Sequence, residues 1–108
     1  METKVLKAEE ARIFLEGPEV CREYFHTEKL TFGTSELMPG QTGAVDNGHE
    51  ESHEVFYVVK GMVLLRCGEK LYELREGMAQ LIPPGEPHQL TNIGESKCIV
   101  SWSLAPSE

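Results

Sequence analysis

The chain has 108 residues, 18 acidic against 10 basic, and a formal net charge of −8. Its length closes one small domain, and its charge excludes nucleic acid and anionic membrane as partners, because neither gains the counterion release that basic patches supply. Small molecules remain the default partner, and the acidic residues are scattered, as on a solvated surface rather than at a calcium site.

In chain order, residues 7–16, KAEEARIFLE, have helix-forming composition and predict one or two helical turns, ended by Gly17 and Pro18. Residues 1–19 are then an N-terminal extension to a core of about 20–105. Strand signals follow over Val20 to His26, Leu30 to Met38, Val55 to Val59, Val63 to Cys67, Lys70 to Leu74, Ala79 to Ile82, His88 to Asn92 and Cys98 to Leu104. Glycine or proline sets the backbone between nearly every pair, and no repeat or low-complexity segment interrupts them. The pattern predicts an all-β sandwich or small barrel in a single domain, 1–108.

Period-two alternation assigns faces. If Glu54 points inward, Phe56 and Val58 follow it while His53 points outward, as a surface histidine at a turn. Cys98, Val100, Trp102 and Leu104 share one face of the last strand, with Ile99, Ser101 and Ser103 on the other. Arg22, Tyr24 and His26 alternate on one face of the first predicted strand, which suits an anionic substrate or, equally, a dimer contact. Cys21, Cys67 and Cys98 are odd in number, widely spaced and without a C-x-x-C, so they read as buried free thiols. The start METKVLKAEE lacks the apolar core of a signal peptide, and no apolar stretch approaches ~20 residues; the expectation is a cytoplasmic protein with no membrane span.

Two segments carry chemistry. Residues 77–92, GMAQLIPPGEPHQLTN, are a strand, a Pro-Gly turn and a returning strand that begins on His88. Residues 43–61, GAVDNGHEESHEVFYVVKG, place His49, His53 and Glu54 where a polar loop meets an apolar strand. Imidazoles and a carboxylate from two hairpins are the ligand types of a mixed nitrogen and oxygen metal site.

With these motifs the chain resembles the cupin family. Gly77, Pro83, Gly85, His88 and Asn92 meet every spacing of the family's second motif, and Glu54 and Gly61 match the end of its first. The front of the first motif departs: counting back from Glu54 puts His49 in the second histidine position and Asn47 in the first, while Gly43 lies five residues before His49, so that Asp46 is an alternative occupant of the vacant position.

The resemblance implies a double-stranded β-helix, or jelly-roll barrel, with a short N-terminal helical turn. It implies a divalent metal (iron, manganese, nickel or zinc) on His49, Glu54 and His88, with Asn47 adding a weak neutral oxygen, and Glu54 doubling as the proton-moving catalytic group. His49, Glu54 and His88 supply the two imidazoles and one carboxylate of non-haem iron oxygenases. Expected function is dioxygenase- or isomerase-type chemistry on a small oxygenated metabolite. The alternatives are a non-catalytic binding or sensor module and a metal-free structural dimerisation barrel. Small cupins usually dimerise, which puts Tyr24 or Phe25 of a predicted edge strand at the two-fold interface of a homodimer.

Overall fold

The computed structural model describes residues 2–108. A single 3-10 turn, Ala8–Glu10, precedes nine strands: β1 (Arg12–Glu16), β2 (Glu19–His26), β3 (Thr31–Leu37), β4 (His53–Lys60), β5 (Met62–Cys67), β6 (Lys70–Arg75), β7 (Ala79–Ile82), β8 (His88–Asn92) and β9 (Cys98–Ala105). They form an antiparallel six-stranded sheet in the order β1-β2-β3-β9-β4-β7 and a three-stranded sheet in the order β6-β5-β8. Facing each other, the two sheets bury a core of Leu37, Phe56, Val58, Val63, Leu65, Leu74, Ile82, Leu90 and Val100. Cys21, Cys67 and Cys98 are free and buried, and no helix is long and apolar enough to cross a membrane among the described residues.

Alternation holds where it was read. Glu54, Phe56 and Val58 are buried in β4 while His53, Val55, Tyr57 and Val59 are exposed. In β9 the face carrying Val100, Trp102 and Leu104 points inward, and Ser101 and Ser103 are on the outer side.

Three expectations need correction. Residues 12–16 are a strand, not a continuation of the helical turn, because RIFLE finds a partner: Arg12 to Glu16 pair with Glu23 to Glu19 of β2, and ladder hydrogen bonds override local composition. Gly17 and Pro18 are therefore the two-residue loop of a hairpin, with Gly17 at φ +62° in the position that a primed turn gives to glycine. Secondly, β2 is not an edge strand, since β1 covers one side and β3 the other.

Thirdly, a bulge between Glu23 and Phe25 breaks the simple face of β2. Arg22 stays on the outer side, paired with Glu36, whereas His26, although exposed, turns to the cavity side, its Nδ1 2.9 Å from the Thr31 hydroxyl. The three residues read as one anion-facing surface thus lie on opposite sides of the sheet.

Gly33 sits directly opposite Trp102 across β3 and β9. Any Cβ there would overlap both the indole and the Arg22 carbonyl, so the absence of a side chain lets Trp102 lie across the strand and donate Nε1–H to the Ser35 hydroxyl at 3.0 Å. Overpacking at such a point costs about 1–3 kcal/mol. Gly33→Ala should lower stability by that amount in chemical denaturation, with near-ultraviolet dichroism reporting the displaced tryptophan.

Candidate metal centre

The Pro83 to Pro87 turn delivers His88 as the first residue of β8, buried to 4% exposure. Across from it, the loop preceding β4 makes one antiparallel rung: Asp46 N–H donates to the His88 carbonyl and His88 N–H to the Asp46 carbonyl, each at 2.8 Å. Residues paired in this way present their side chains to the same face, so the Asp46 carboxylate arrives beside the His88 ring. The loop then bends through Gly48, at φ +92°, where a Cβ would meet the backbone of Gly85 and Glu86. That close approach brings Gly85 N–H to the His49 carbonyl at 2.7 Å and turns His49 toward the same point. Glu54, second in β4, completes the group from the opposite sheet.

The ligand atoms of Asp46, Glu54 and His88 all lie within 4.8 Å of one another. His88 Nε2 is 3.1 Å from Glu54 Oε1 and 3.5 Å from Asp46 Oδ2, while His49 Nε2 is 3.6 Å from each of those oxygens. Glu54 Oε1 and His88 Nε2 are buried, yet neither makes a hydrogen bond among the described residues. Although 3.1 Å apart, they are not aligned on each other. Atoms left unpaired and aimed at a shared space are what ligands of an ion ~2 Å away from each look like, so this donor set fits a divalent metal.

The surrounding bonds fix the donors. His88 Nδ1 lies 3.0 Å from the Glu86 carbonyl, which selects the tautomer whose Nε2 faces the cluster. Phe56 stands edge-on to the imidazole, with ring centroids 5.5 Å apart, and Asp46 Oδ1 accepts from Gly48 N–H at 2.9 Å, leaving Oδ2 for the site. Without a metal, burial disfavours the charged His88 ring, but Asp46, Glu54 and the Glu86 carbonyl outweigh it and raise its pKa to about 10. The His88 ring 3.5 Å away, helped by the Gly48 amide, outweighs burial and holds Asp46 down at about 2.

Of the residues singled out from sequence, His49, Glu54 and His88 are brought together. Asn47 is exposed and outside the cavity lining, and Asp46 stands in its place. His53 faces solvent. The cluster opens into a cavity of about 190 Å³ between the sheets, with further lining that sequence reading missed: Glu16, Glu19, Glu23, Trp102 and Glu108. Glu108 accepts backbone N–H groups from Glu50, Glu51 and Ser52 at 2.9, 2.8 and 2.7 Å, and the Ser52 hydroxyl at 2.7 Å, tying down the loop between His49 and Glu54. These bonds hold its carboxyl down at about 2.

A model of the cupin domain, Cupin_2, matches residues 33–104. An uncharacterised protein of Methanocaldococcus jannaschii is 35% identical over 58 residues, covering 54% of this chain and 46% of that protein, so the match spans a little under half of the relative's length. TT1209 from Thermus thermophilus superposes with a TM-score of 0.78 at 28% identity, over 96% of this chain and 98% of that one. A predicted oxalate decarboxylase from Thermotoga maritima superposes with a TM-score of 0.81 over 95% and 99% of the two chains; at 18% identity this likeness shows the fold alone.

The paired shifts of His88 and Asp46 set the pH dependence of the metal-free protein. His88 is raised from 6.5 to about 10, so its contribution is fully present below pH 6.5 and lost as pH rises toward 10; Asp46 is lowered from 3.8 to about 2, so its contribution is present above pH 3.8 and lost as pH falls through 2. In chelator, the thermal midpoint should fall between about pH 7 and pH 10, and the fall should flatten in His88→Gln. A wild-type midpoint that stays level over that range would contradict a charged His88.

Proposed function

We propose that this chain, which belongs to the cupin family, is a small divalent-metal-binding barrel acting on a small oxygenated metabolite, by oxidoreductase- or isomerase-type chemistry. The observation that carries the reading is the pair of buried, unbonded atoms, Glu54 Oε1 and His88 Nε2, facing the same space as Asp46 and His49. These four residues would hold the ion. Two imidazoles and two carboxylates neutralise a divalent charge and, with more oxygen than a three-histidine set, favour harder ions such as manganese or iron(II). When bound, the metal supplies Lewis-acid polarisation of a substrate oxygen.

The chain's own groups orient and exclude. The Glu86 carbonyl and the Phe56 edge fix the His88 ring, and the Gly48 amide fixes the Asp46 carboxylate. Buried Glu54, at the wall between cluster and cavity, is placed to take up or return a proton at its carboxylate. The free, buried thiols suit a reducing compartment, which supports a cytoplasmic protein.

Elemental analysis should find one divalent ion per chain after purification without added metal. His88→Ala should remove it and lower the thermal midpoint in metal-containing buffer, because an ion bound only by the folded state stabilises that state by mass action. Asp46→Asn should weaken it. A wild type that holds no metal under any loading condition would return the protein to the class of binding or structural barrels.

We also propose a homodimer through the outer face of the six-stranded sheet. Tyr24 and Phe25 of β2 group with Phe32 of β3 toward one side of this face, and exposed Ile13, Leu15, Val55, Tyr57, Val59 and Leu81 extend the apolar surface toward both edges. A symmetric pair would cover one such face with its copy. Light scattering should give a dimer mass at micromolar concentration, reduced to the monomer by Phe32→Glu; a wild-type monomer at that concentration overturns the proposal.

A further inference from the structure

The walls of the cavity state what it can hold. No lysine or arginine is among its lining residues, whereas six carboxylates are. Four of the six are accounted for: Asp46 and Glu54 belong to the metal cluster, Glu23 is gripped by Arg12 at 3.2 and 3.3 Å, and Glu108 is spent on the amides of Glu50, Glu51 and Ser52. Glu16 and Glu19 remain, with no ion-pair partner among the described residues.

Glu19 is the more telling of the two. It is nine-tenths buried, lines the cavity, and fits only because Gly43 has no side chain; a Cβ at that glycine would occupy the position of Glu19 Oε1. The donor reaching Oε2 is the weak Cys21 thiol at 3.5 Å. A buried carboxylate without a counter-charge is expensive, and the pKa of Glu19, like that of Glu16, is raised chiefly by burial, for Glu16 with the charges of Asp46 and Glu54 adding to it.

The amide, indole and His88 Nδ1 donors, by contrast, are already used. Gln89 Nε2 bonds the Gly43 carbonyl, Trp102 Nε1 the Ser35 hydroxyl and His88 Nδ1 the Glu86 carbonyl. The three successive backbone amides of 50–52 hold Glu108. The cavity therefore offers a ligand acceptors, negative charge and the apolar surfaces of Phe56 and Trp102, whereas the Phe14 ring already carries the Arg12 guanidinium 4.5 Å from its centroid.

We propose that the cavity binds a small organic cation, an ammonium group seated between Glu16 and Glu19 with its carbon chain against the aromatic wall. The ammonium supplies the counter-charge that both carboxylates lack, and aromatic faces favour a cation beside them. A carboxylate ligand meets the opposite situation: no lysine or arginine lines the cavity to receive it, and its three histidines face other groups, His49 and His88 the carboxylates of the metal cluster and His26 the Thr31 hydroxyl. The inference rests on the reading of this cavity as the ligand site of the metal-binding barrel, and it narrows that site's substrate to a donor-rich, positively charged metabolite.

Three probes of one length test it on manganese-loaded protein at neutral pH by titration calorimetry: 1,4-diaminobutane, butane-1,4-diol and succinate. The diamine should bind at least tenfold more tightly than the diol, and succinate should give no binding. Glu19→Gln and Glu16→Gln, which keep the shape of the side chain, should each weaken the diamine at least tenfold while bound manganese stays at one per chain. Diol binding equal to the diamine, preferred binding of succinate, absence of diamine binding, or diamine affinity unchanged in Glu19→Gln would each overturn the proposal. Manganese stoichiometry is measured in the same samples, so loss of the metal reading shows separately from loss of the cation reading.

Discussion

Two backbone hydrogen bonds between Asp46 and His88 decide how this molecule presents its chemistry. They make one rung that fastens the loop between β3 and β4 to β8. The loop runs beside β8 for most of its length: Gly40 N–H bonds the Asn92 carbonyl, Gly43 N–H the Leu90 carbonyl, and Thr42 lies opposite Thr91. It behaves as a ragged extra strand of the smaller sheet, and its carboxylate stands beside the imidazole because both belong to the same rung. Gly48 then permits the reversal against Gly85 and Glu86 that aims His49 at the same place.

The cluster so assembled opposes its own burial. Two carboxylates and two imidazoles are gathered at one point, Glu54 and His88 out of reach of solvent and Asp46 and His49 half-buried, and two of their atoms have no hydrogen bond. A charged His88 relieves part of the repulsion between Asp46 and Glu54, which is why its proton is held so firmly. Sites in which local stability is sacrificed in this way are where function concentrates. The same tension continues along the cavity in Glu16 and Glu19, where burial outweighs what the His88 charge relieves.

How much of this was legible in the sequence depended on whether the cause was local. The segment 77–92 was read residue by residue, and β7 and β8 have the predicted bounds, because prolines and glycines fix a turn whatever surrounds it. The inward face of β4 followed from alternation alone. Sequence alone does not separate Asp46 from Asn47, because the choice between neighbours depends on a rung to a residue 42 positions later, and counting back from Glu54 assumes a loop of standard length. The Asp-Asn-Gly sequence was the available signal, since an aspartate two residues before a glycine commonly accepts that glycine's N–H, as here. Residues 12–16 were misread because their pairing partner decides their state. The bulge in β2, which separates Arg22 from His26, left no mark that alternation could detect.

The clasp of Glu108 on residues 50–52 joins positions 56 to 58 apart in the chain. Contacts of such separation form late in folding, after the long intervening loop has closed. The segment between two of the site's side chains is therefore held by the part of the chain that docks after β9 is in place, and its amides should exchange hydrogen with solvent as one unit with that docking. Opening of the C-terminal segment and loosening of the loop are then a single local-unfolding event, of lower free energy than global unfolding, and the barrel core need take no part in it.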